Sequence, residues 1–377
     1  MKHVYATSGN IISPLGFDTA SNYIASAKAT TAIQMHDDKS MLPVPFYASL
    51  LQTEKLTEAF SKIGNPANFT RLEQMMLLSV QDSITQENLG ITEKTALIVA
   101  TTKGNIDALE ENSNFDKNRA YLPVLGKSIK DFFGFKKEAI VVSNACVSGI
   151  LAVAVAKRLI QVGVYDDAVI VAGDIISKFT LSGFHSFQAL SEGPCKPYSK
   201  FRNGVSLGEG AASLIISAKA KSIIKITGEA SCNDANHISG PSRTGAGLFK
   251  SITAAMHESG LSPNELDYIS AHGTATIYND EMESIALNRS NMLHVPINSF
   301  KGIYGHTLGA SGLLETVLGL ESMKRNELLQ SVGFDELGVS KSINVIKQFK
   351  SATVNNFLKT ASGFGGCNTA VIFQKDE

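Results

Sequence analysis

Four side chains in this sequence have types and settings that could do chemistry together: Cys146, His272, Lys301 and His306. Cys146 lies in "VVSNACVSGI" (141–150), between an apolar run that reads as a strand and one that reads as a helix. A side chain at such a junction faces unpaired backbone N–H groups, and the helix dipole favours an anion, so the thiol pKa is expected to be lowered. Taken alone, the stretch reads as a buried apolar spacer, the usual fate of a free cysteine. His272 lies in "AHGTAT" (271–276), after a strand-like run and before a Gly/Thr loop. The helix "NDEMESIALN" follows, with acids in its first turn as the dipole prefers. Lys301 and His306 share the loop "NSFKGIYGHTLGASG" (298–312). An imidazolium is disfavoured near a helix N-terminus, so His306 is expected to stay neutral and donate a hydrogen bond. Singly, each is unremarkable: a histidine at a strand end is usually structural, and a loop lysine is usually solvated. Together they place a thiol, two imidazoles and an ammonium on strand-to-helix edges, where open α/β sheets bind ligands. In "SGFGGCNTAVIF" (362–373), three glycines surround Phe364. A backbone N–H there could complete an oxyanion site beside the thiol. The same stretch would also form a tight hairpin.

The elements that must position these residues alternate between strand and helix, which predicts an α/β fold. A first series of strand-like runs covers 95–102, 139–145, 167–174 and 212–218. A second covers 223–231, 266–273, 295–300, 352–359 and 369–374. Several are apolar on both faces, as strands of a central layer should be. In each series a buried strand leads into a small-residue helix, "VSGILAVAVAKRLIQ" in the first and "ASGLLETVLGLESMK" in the second. This predicts a duplicated unit, 1–219 and 220–377, with the boundary near 218–221. The polar segment 104–137 reads as an insertion over the core.

The bulk composition narrows the function classes. The 377 residues carry a net charge of −1, so nothing in the balance points to nucleic acid or an anionic membrane. The longest apolar run, 147–164, is interrupted by Lys157 and Arg158 and is too short to span a bilayer. The chain begins at once with the strand-like run "HVYATSGN", which does not resemble a signal peptide. Cys146, Cys195, Cys232 and Cys367 fit no zinc spacing and no dense disulfide framework, so no metal is expected and a reduced, cytoplasmic protein is. The glycines of "GVSLGEGAA" (204–212) precede a strand rather than a helix, which argues against a phosphate loop.

Five motifs in combination, "NACVSG", "YSKFRNGVSLGEGAA" (198–212), "AHGTATIYNDEMES" (271–284), "KGIYGHTLGASGLLE" (301–315) and "GFGG" (363–366), resemble the β-ketoacyl-[acyl-carrier-protein] synthases, the elongating, decarboxylating branch of the thiolase superfamily. The resemblance covers nearly the whole chain. It implies thiolase-like duplicated α/β halves in a five-layered αβαβα core. It implies decarboxylative Claisen condensation with malonyl-acyl-carrier protein, which needs a nucleophile and donors for a developing enolate. On the matching positions, Cys146 would carry the acyl chain, and His272 and His306 would stabilise the enolate. Lys301, paired with Glu315, would organise the site. The backbone N–H groups of Cys146 and Phe364 would form the oxyanion hole. Thr274 and Thr276 would bind the phosphopantetheine arm, and Phe364 would gate the acyl pocket. No cofactor of its own is implied, since substrates arrive on carrier phosphopantetheine. Partners would be an acyl-carrier protein and a second synthase-like subunit, either as a homodimer or as a heterodimer with a chain-length-factor-like homologue. Lys200, Arg202 and Arg71 are candidates for a basic carrier-protein entrance.

The sequence departs from the family pattern at Asn144, Ile277, Ser362 and Cys367, where relatives often carry threonine or aspartate, proline, phenylalanine and threonine respectively. It is also shorter than typical members. These departures spare the Cys/His/His/Lys set but leave acyl-chain length and pathway open between ordinary fatty-acid synthesis and a specialised polyketide or polyene lipid. A thiol hydrolase using Cys146 and His272 is the reading from another class; Lys301 and His306 have no obvious hydrolytic task.

Overall fold

The computed structural model describes residues 2–219, 222–236, 238 and 240–376. Ala220 and Lys221, at the expected boundary between halves, lie outside the described residues. The strands of the main sheet are β1 (Tyr5–Ile12), β2 (Thr95–Ala100), β3 (Ile140–Val142), β4 (Asp167–Asp174), β5 (Gly210–Ser217), β6 (Ile224–Asn233), β7 (Tyr268–Ser270), β8 (Pro296–Asn298), β9 (Asn344–Val345), β10 (Asn356–Ser362) and β11 (Cys367–Lys375). The order is β9-β8-β7-β10-β11-β6-β1-β5-β4-β2-β3. It divides naturally at β6 and β1, which share a single residue pair, Tyr5 with Lys225. On one side, β1/β5 and β5/β4 are antiparallel while β4/β2 and β2/β3 are parallel. On the other, β6/β11 and β11/β10 are antiparallel while β10/β7 and β7/β8 are parallel. The two blocks thus repeat one strand order and one sense of pairing.

Seven helices cover the sheet or flank the cavity: α1 (Arg71–Glu87), α2 (Leu122–Phe133), α3 (Ser148–Gln161), α4 (Lys178–Ser186), α5 (Ala246–Ser259), α6 (Ile277–Arg289) and α7 (Ser311–Arg325). Helices α3 and α7 pack on each other and lie between the two strand blocks. Helix α1 covers the outer face of β1, β5 and β4, and α5 with α6 covers the outer face of the other block. The result is five layers, αβαβα. The patterning explains it: β2, β4 and β5 are buried along their whole length, as strands covered on both faces must be. Helix α7 is apolar or small nearly all round and is buried to match.

Two expectations need correction. Segment 104–137 is not merely an insertion, because its second half forms α2, whose Leu125 and Ile129 are fully buried against α1. The polar first half is tied down by Arg119, which makes a two-pronged bond to the buried carboxylate of Glu73 at 2.8 and 2.7 Å. The strand expected at 352–359 instead runs from 356 to 362. This shift puts Lys359 in mid-strand and inside the protein. No helix among the described residues is long and apolar enough to cross a membrane.

Candidate active site

The chemistry-bearing residues emerge at one edge of the sheet. Cys146 follows β3, His272 follows β7, Lys301 and His306 follow β8, and the "GFGG" turn follows β10. These strands run parallel within their blocks, so the site lies at their carboxyl ends. The two blocks meet there because α3 and α7 cross closely at their first turns. A Cβ on Gly149 would lie 2.7 Å from the Gly309 carbonyl oxygen, and one on Gly312 would lie 2.8 Å from the Ile150 nitrogen. Only glycine permits that approach.

Cys146 sits on a sharp elbow. Ala145 before it has φ +45°, a left-handed conformation that costs a non-glycine residue energy and must be held by its surroundings. Ser148 holds it: its hydroxyl accepts the Asn144 N–H at 2.8 Å and donates to the Ala145 carbonyl at 2.6 Å. Asn144 is engaged through its main chain, since its carbonyl also accepts the Cys367 S–H at 3.7 Å while its side chain is exposed. The thiol is buried, and burial pushes its pKa up to about 11, against the opposing pull of Lys301, Lys103 and the Phe364 N–H. The expectation of a lowered thiol pKa is therefore reversed, because desolvation outweighs the favourable charges.

The thiol sulfur and the ring nitrogens of His272 and His306 lie within 4.8 Å of one another. The two rings stand edge to face, 5.1 Å between centroids. Among the described residues this is the one group of such donors close enough to share a metal ion. Both imidazoles are held well below their ordinary pKa, first by burial and then by Lys301 and its neighbours. The neutral state expected from a helix terminus is present, with burial as its main cause. His306 Nδ1 accepts the Leu308 N–H at 3.2 Å and contacts Ser311 Oγ at 3.0 Å. That leaves Nε2 to carry the proton and donate. His272 Nδ1 is buried and has no hydrogen-bond partner among the described residues.

Behind His272 the main chain is gripped from two sides. Glu283 accepts the N–H groups of His272 and Gly273 at 2.8 and 2.7 Å, and Asp280 accepts those of Thr274 and Ala275 at 3.0 and 3.2 Å. Asp280, in the first turn of α6, looks like a dipole-matching acid in sequence, but it and Glu283 one turn later point inward. Burial and the Glu283 charge push Asp280 up to about 7. From the carbonyl side, Lys301 donates to His272 O at 2.5 Å and pairs with Glu315 at 2.8 Å. Asp174, at the end of β4, binds the Thr102 and Gly309 N–H groups and so ties the first block to the His306 loop. Asp174, Asp280, Glu283 and Lys359 are functional neighbours that sequence reasoning alone misses. Only the loop-to-acid spacing of "AHGTATIYNDEMES" hints at two of them.

A cavity of about 410 Å³ opens onto Cys146, His272 and His306 and is lined by Thr274, Thr276 and Phe364. The two threonine hydroxyls are 2.8 Å apart. The Phe364 ring stacks on Phe184 at 5.8 Å and meets Phe187 edge-on at 6.0 Å, forming an aromatic mouth. The turn beneath it must be glycine at 363, where a Cβ would lie 3.0 Å from the Cys146 nitrogen. Ser362 is engaged by Asn368, at 2.7 Å. The basic entrance fares less well. Arg202 is buried, donating to the carbonyls of Ser199 at 2.9 Å and Gly338 at 2.6 Å, with Asp280 beyond. Arg71 is committed to Glu209 and Leu51 O. Both are held by internal ion pairs and hydrogen bonds, which leaves them less free than Lys200 to meet a partner. Lys200 remains exposed, paired only with Glu336 at 3.1 Å.

Comparison with known proteins agrees with this geometry. The family description "Beta-ketoacyl synthase, N-terminal domain" matches residues 45–222, and "Beta-ketoacyl synthase, C-terminal domain" matches 223–335. The chain is 25% identical to the 3-oxoacyl-[acyl-carrier-protein] synthase 2 of Staphylococcus aureus, covering 100% of this chain and 99% of that protein. It is 26% identical to a 3-oxoacyl-[acyl-carrier-protein] synthase homolog of Saccharomyces cerevisiae, over 86% of this chain and 81% of that one. In fold it matches a ketosynthase from Xenorhabdus doucetiae solved in complex with its chain length factor (TM-score 0.88, 23% identity, 100% of this chain and 98% of that chain). It also matches a β-ketoacyl synthase from Burkholderia phymatum (TM-score 0.88, 21% identity, all of both chains).

Proposed function

The chain belongs to the β-ketoacyl synthase family of condensing acyltransferases, and from that premise we propose that it joins a Cys146-bound acyl group to malonyl-acyl-carrier protein with loss of CO₂, giving 3-oxoacyl-acyl-carrier protein. The observation that carries this reading is the convergence of one thiol and two neutral imidazoles within 4.8 Å at the base of a cavity.

In the first half-reaction the Cys146 sulfur attacks the incoming thioester. Its proton leaves with the pantetheine thiol, an adjacent neutral imidazole serving as relay. The tetrahedral oxyanion is met by the N–H groups of Cys146 and Phe364. In the second, malonyl thioester binds with its carbonyl oxygen toward the two imidazoles. Its carboxylate departs as CO₂, and the electron pair moves onto the carbonyl as an enolate, held by ring N–H donors in a water-poor site. The enolate carbon attacks the acyl-Cys146 carbonyl, and collapse expels the Cys146 thiolate, which takes up one proton. Lys301 and Glu315 set the charge and geometry behind His272. Thr274 and Thr276 receive the pantetheine arm.

The substrate is therefore carrier-bound, with Lys200 as the remaining entrance cation. A second, homologous subunit would pair along β3, which ends the sheet with Ile140 and Val141 only partly buried. The X. doucetiae ketosynthase, solved with its chain length factor, supports a chain-length-factor-like subunit as one form of that partner. Four unpaired cysteines fit a reducing compartment such as the cytoplasm.

The test is intact-protein mass spectrometry with acyl- and malonyl-carrier protein. Wild type gains the acyl mass and then forms a carrier-bound 3-oxoacyl product. Cys146→Ala gains none. Acylation that persists in Cys146→Ala, or free acid released without malonyl consumption, refutes the reading and favours hydrolysis.

A further inference from the structure

Lys359 lies in mid-strand on β10 with no exposed surface, a place ordinarily taken by an apolar side chain. Its ammonium donates to the carbonyls of Ser270 at 3.2 Å and Ala271 at 3.3 Å and to Glu315 Oε2 at 2.5 Å. The other oxygen of Glu315 holds Lys301, which reaches His272 O. One buried carboxylate thus bridges two buried ammoniums, and those two cations take three consecutive carbonyls, 270 to 272. Lys301 and Glu315 alone would make a neutral pair. The second lysine adds a further buried positive charge, with Glu283 as its other acidic neighbour, and burial opposes such a charge unless it is closely paired and bonded.

We infer that Lys359 is a positioning residue for the condensation step: it fixes the carboxylate that holds Lys301, steadies the main chain carrying His272, and sets a second positive charge behind both imidazoles. The inference rests on the ketosynthase reading above. The charged groups around Lys359 are Glu315 from α7, Lys301 from the turn 301–304 and Glu283 from α6. The adjacent strands present Ser270 from β7 and Val371 from β11 at its register positions, and neither titrates. The field of Lys359 acts on both His272 and His306 in the sense that disfavours their protonation, after burial and Lys301 and after the neighbouring His306 for His272 and Lys103 for His306. His306 Nδ1 can accept the Leu308 N–H only while the ring is neutral, so the second lysine helps to keep that ring in place in acid.

The experiment compares wild type with Lys359→Met and Lys359→Gln in the full chain. It measures acyl-Cys146 formation and 3-oxoacyl product separately across a pH series. Lys359→Met is expected to acylate within about twofold of wild type but to condense roughly ten- to a hundredfold more slowly, as a displaced catalytic group does. Its acid limb should move to higher pH, because removing a cation makes the imidazoles easier to protonate. Lys359→Gln keeps a donor without the charge, so it recovers part of the rate but retains the shifted limb; it also serves if the Met variant does not fold. Equal loss of both half-reactions with an unmoved acid limb assigns Lys359 a purely structural role and overturns the inference. Variants that match a condensing wild type also overturn it. A wild type that acylates but never condenses overturns the ketosynthase reading instead.

Discussion

Replacing Gly149 with alanine tests whether the two halves must touch for the site to exist. The new Cβ would lie 2.7 Å from Gly309 O, 2.9 Å from Leu313 N and 3.1 Å from Leu313 Cβ. A carbon approaches a carbonyl oxygen comfortably at about 3.3 Å, so α3 and the start of α7 must separate by about 0.6 Å. None of the three contacts is the end of a flexible side chain that could swing away. Overpacking of this kind costs about 1–3 kcal/mol. The displacement lies along the line joining the Cys146 elbow to the His306 loop, and a misplacement of about 1 Å at a reacting centre can cost about a hundredfold. Condensation in Gly149→Ala should therefore fall by roughly tenfold, with acylation of Cys146 less affected because that step relies more on the elbow itself. Gly183→Ala in α4 is the matched control. A Cβ there meets nothing within 4 Å, and alanine in a helix interior should stabilise by about 0.5–1 kcal/mol. The assays are thermal melts and the two half-reactions measured separately. If Gly149→Ala melts with wild type and condenses at the wild-type rate, the close crossing does not set the site geometry.

Further outcomes are expected. His306→Ala should still be acylated on Cys146, seen as the acyl mass, yet form no 3-oxoacyl product; undiminished condensation would remove His306 from the mechanism. Because both imidazoles are held well below their ordinary value, the rate should not fall as pH drops through about 6.5, the usual histidine range; a half-maximal rate at that pH would show that the rings are not so shielded. The same shift has a stability consequence: the unfolded chain takes up protons below about 6.5 that the folded chain refuses, so these rings contribute stability above that pH and lose it on acidification. Arg202→Ala should lower stability by about 3 kcal/mol, since it strips a buried ion partner from Asp280 and donors from two carbonyls. By contrast, Lys200→Glu should leave the melt unchanged and weaken carrier binding at low salt, where an exposed charge is least screened.

The fully buried strands, the two small-residue helices and the Cys/His/His/Lys set are legible in the sequence because each leaves a local mark: an apolar run, a run of small residues, or a reactive side chain beside a turn. What is not legible depends on direction. Asp280 sits in the first turn of α6 and Glu283 one turn later, where acids usually face water, and only the fold turns them toward the His272 loop. Lys359 falls at the end of a strand window three to four residues out of register, so its burial is invisible there. Segment 104–137 looks polar because Arg119 and its neighbours are, but Leu125 and Ile129 in α2 are core. The thiol is the sharpest reversal: the helix start is where the pattern places it, while the depth of burial that dominates Cys146 is a property of the assembled layers.

The matched strand order of the two blocks has a consequence for how the chemistry is divided. Strand β3 and strand β8 occupy equivalent places, and each feeds a loop into a central helix, α3 or α7. The Cys146 elbow and the Lys301–His306 loop are therefore topological counterparts. One loop brings the thiol and its counterpart brings the imidazole, so rewriting either loop with the sequence of the other would make the two blocks more alike at the expense of the chemistry.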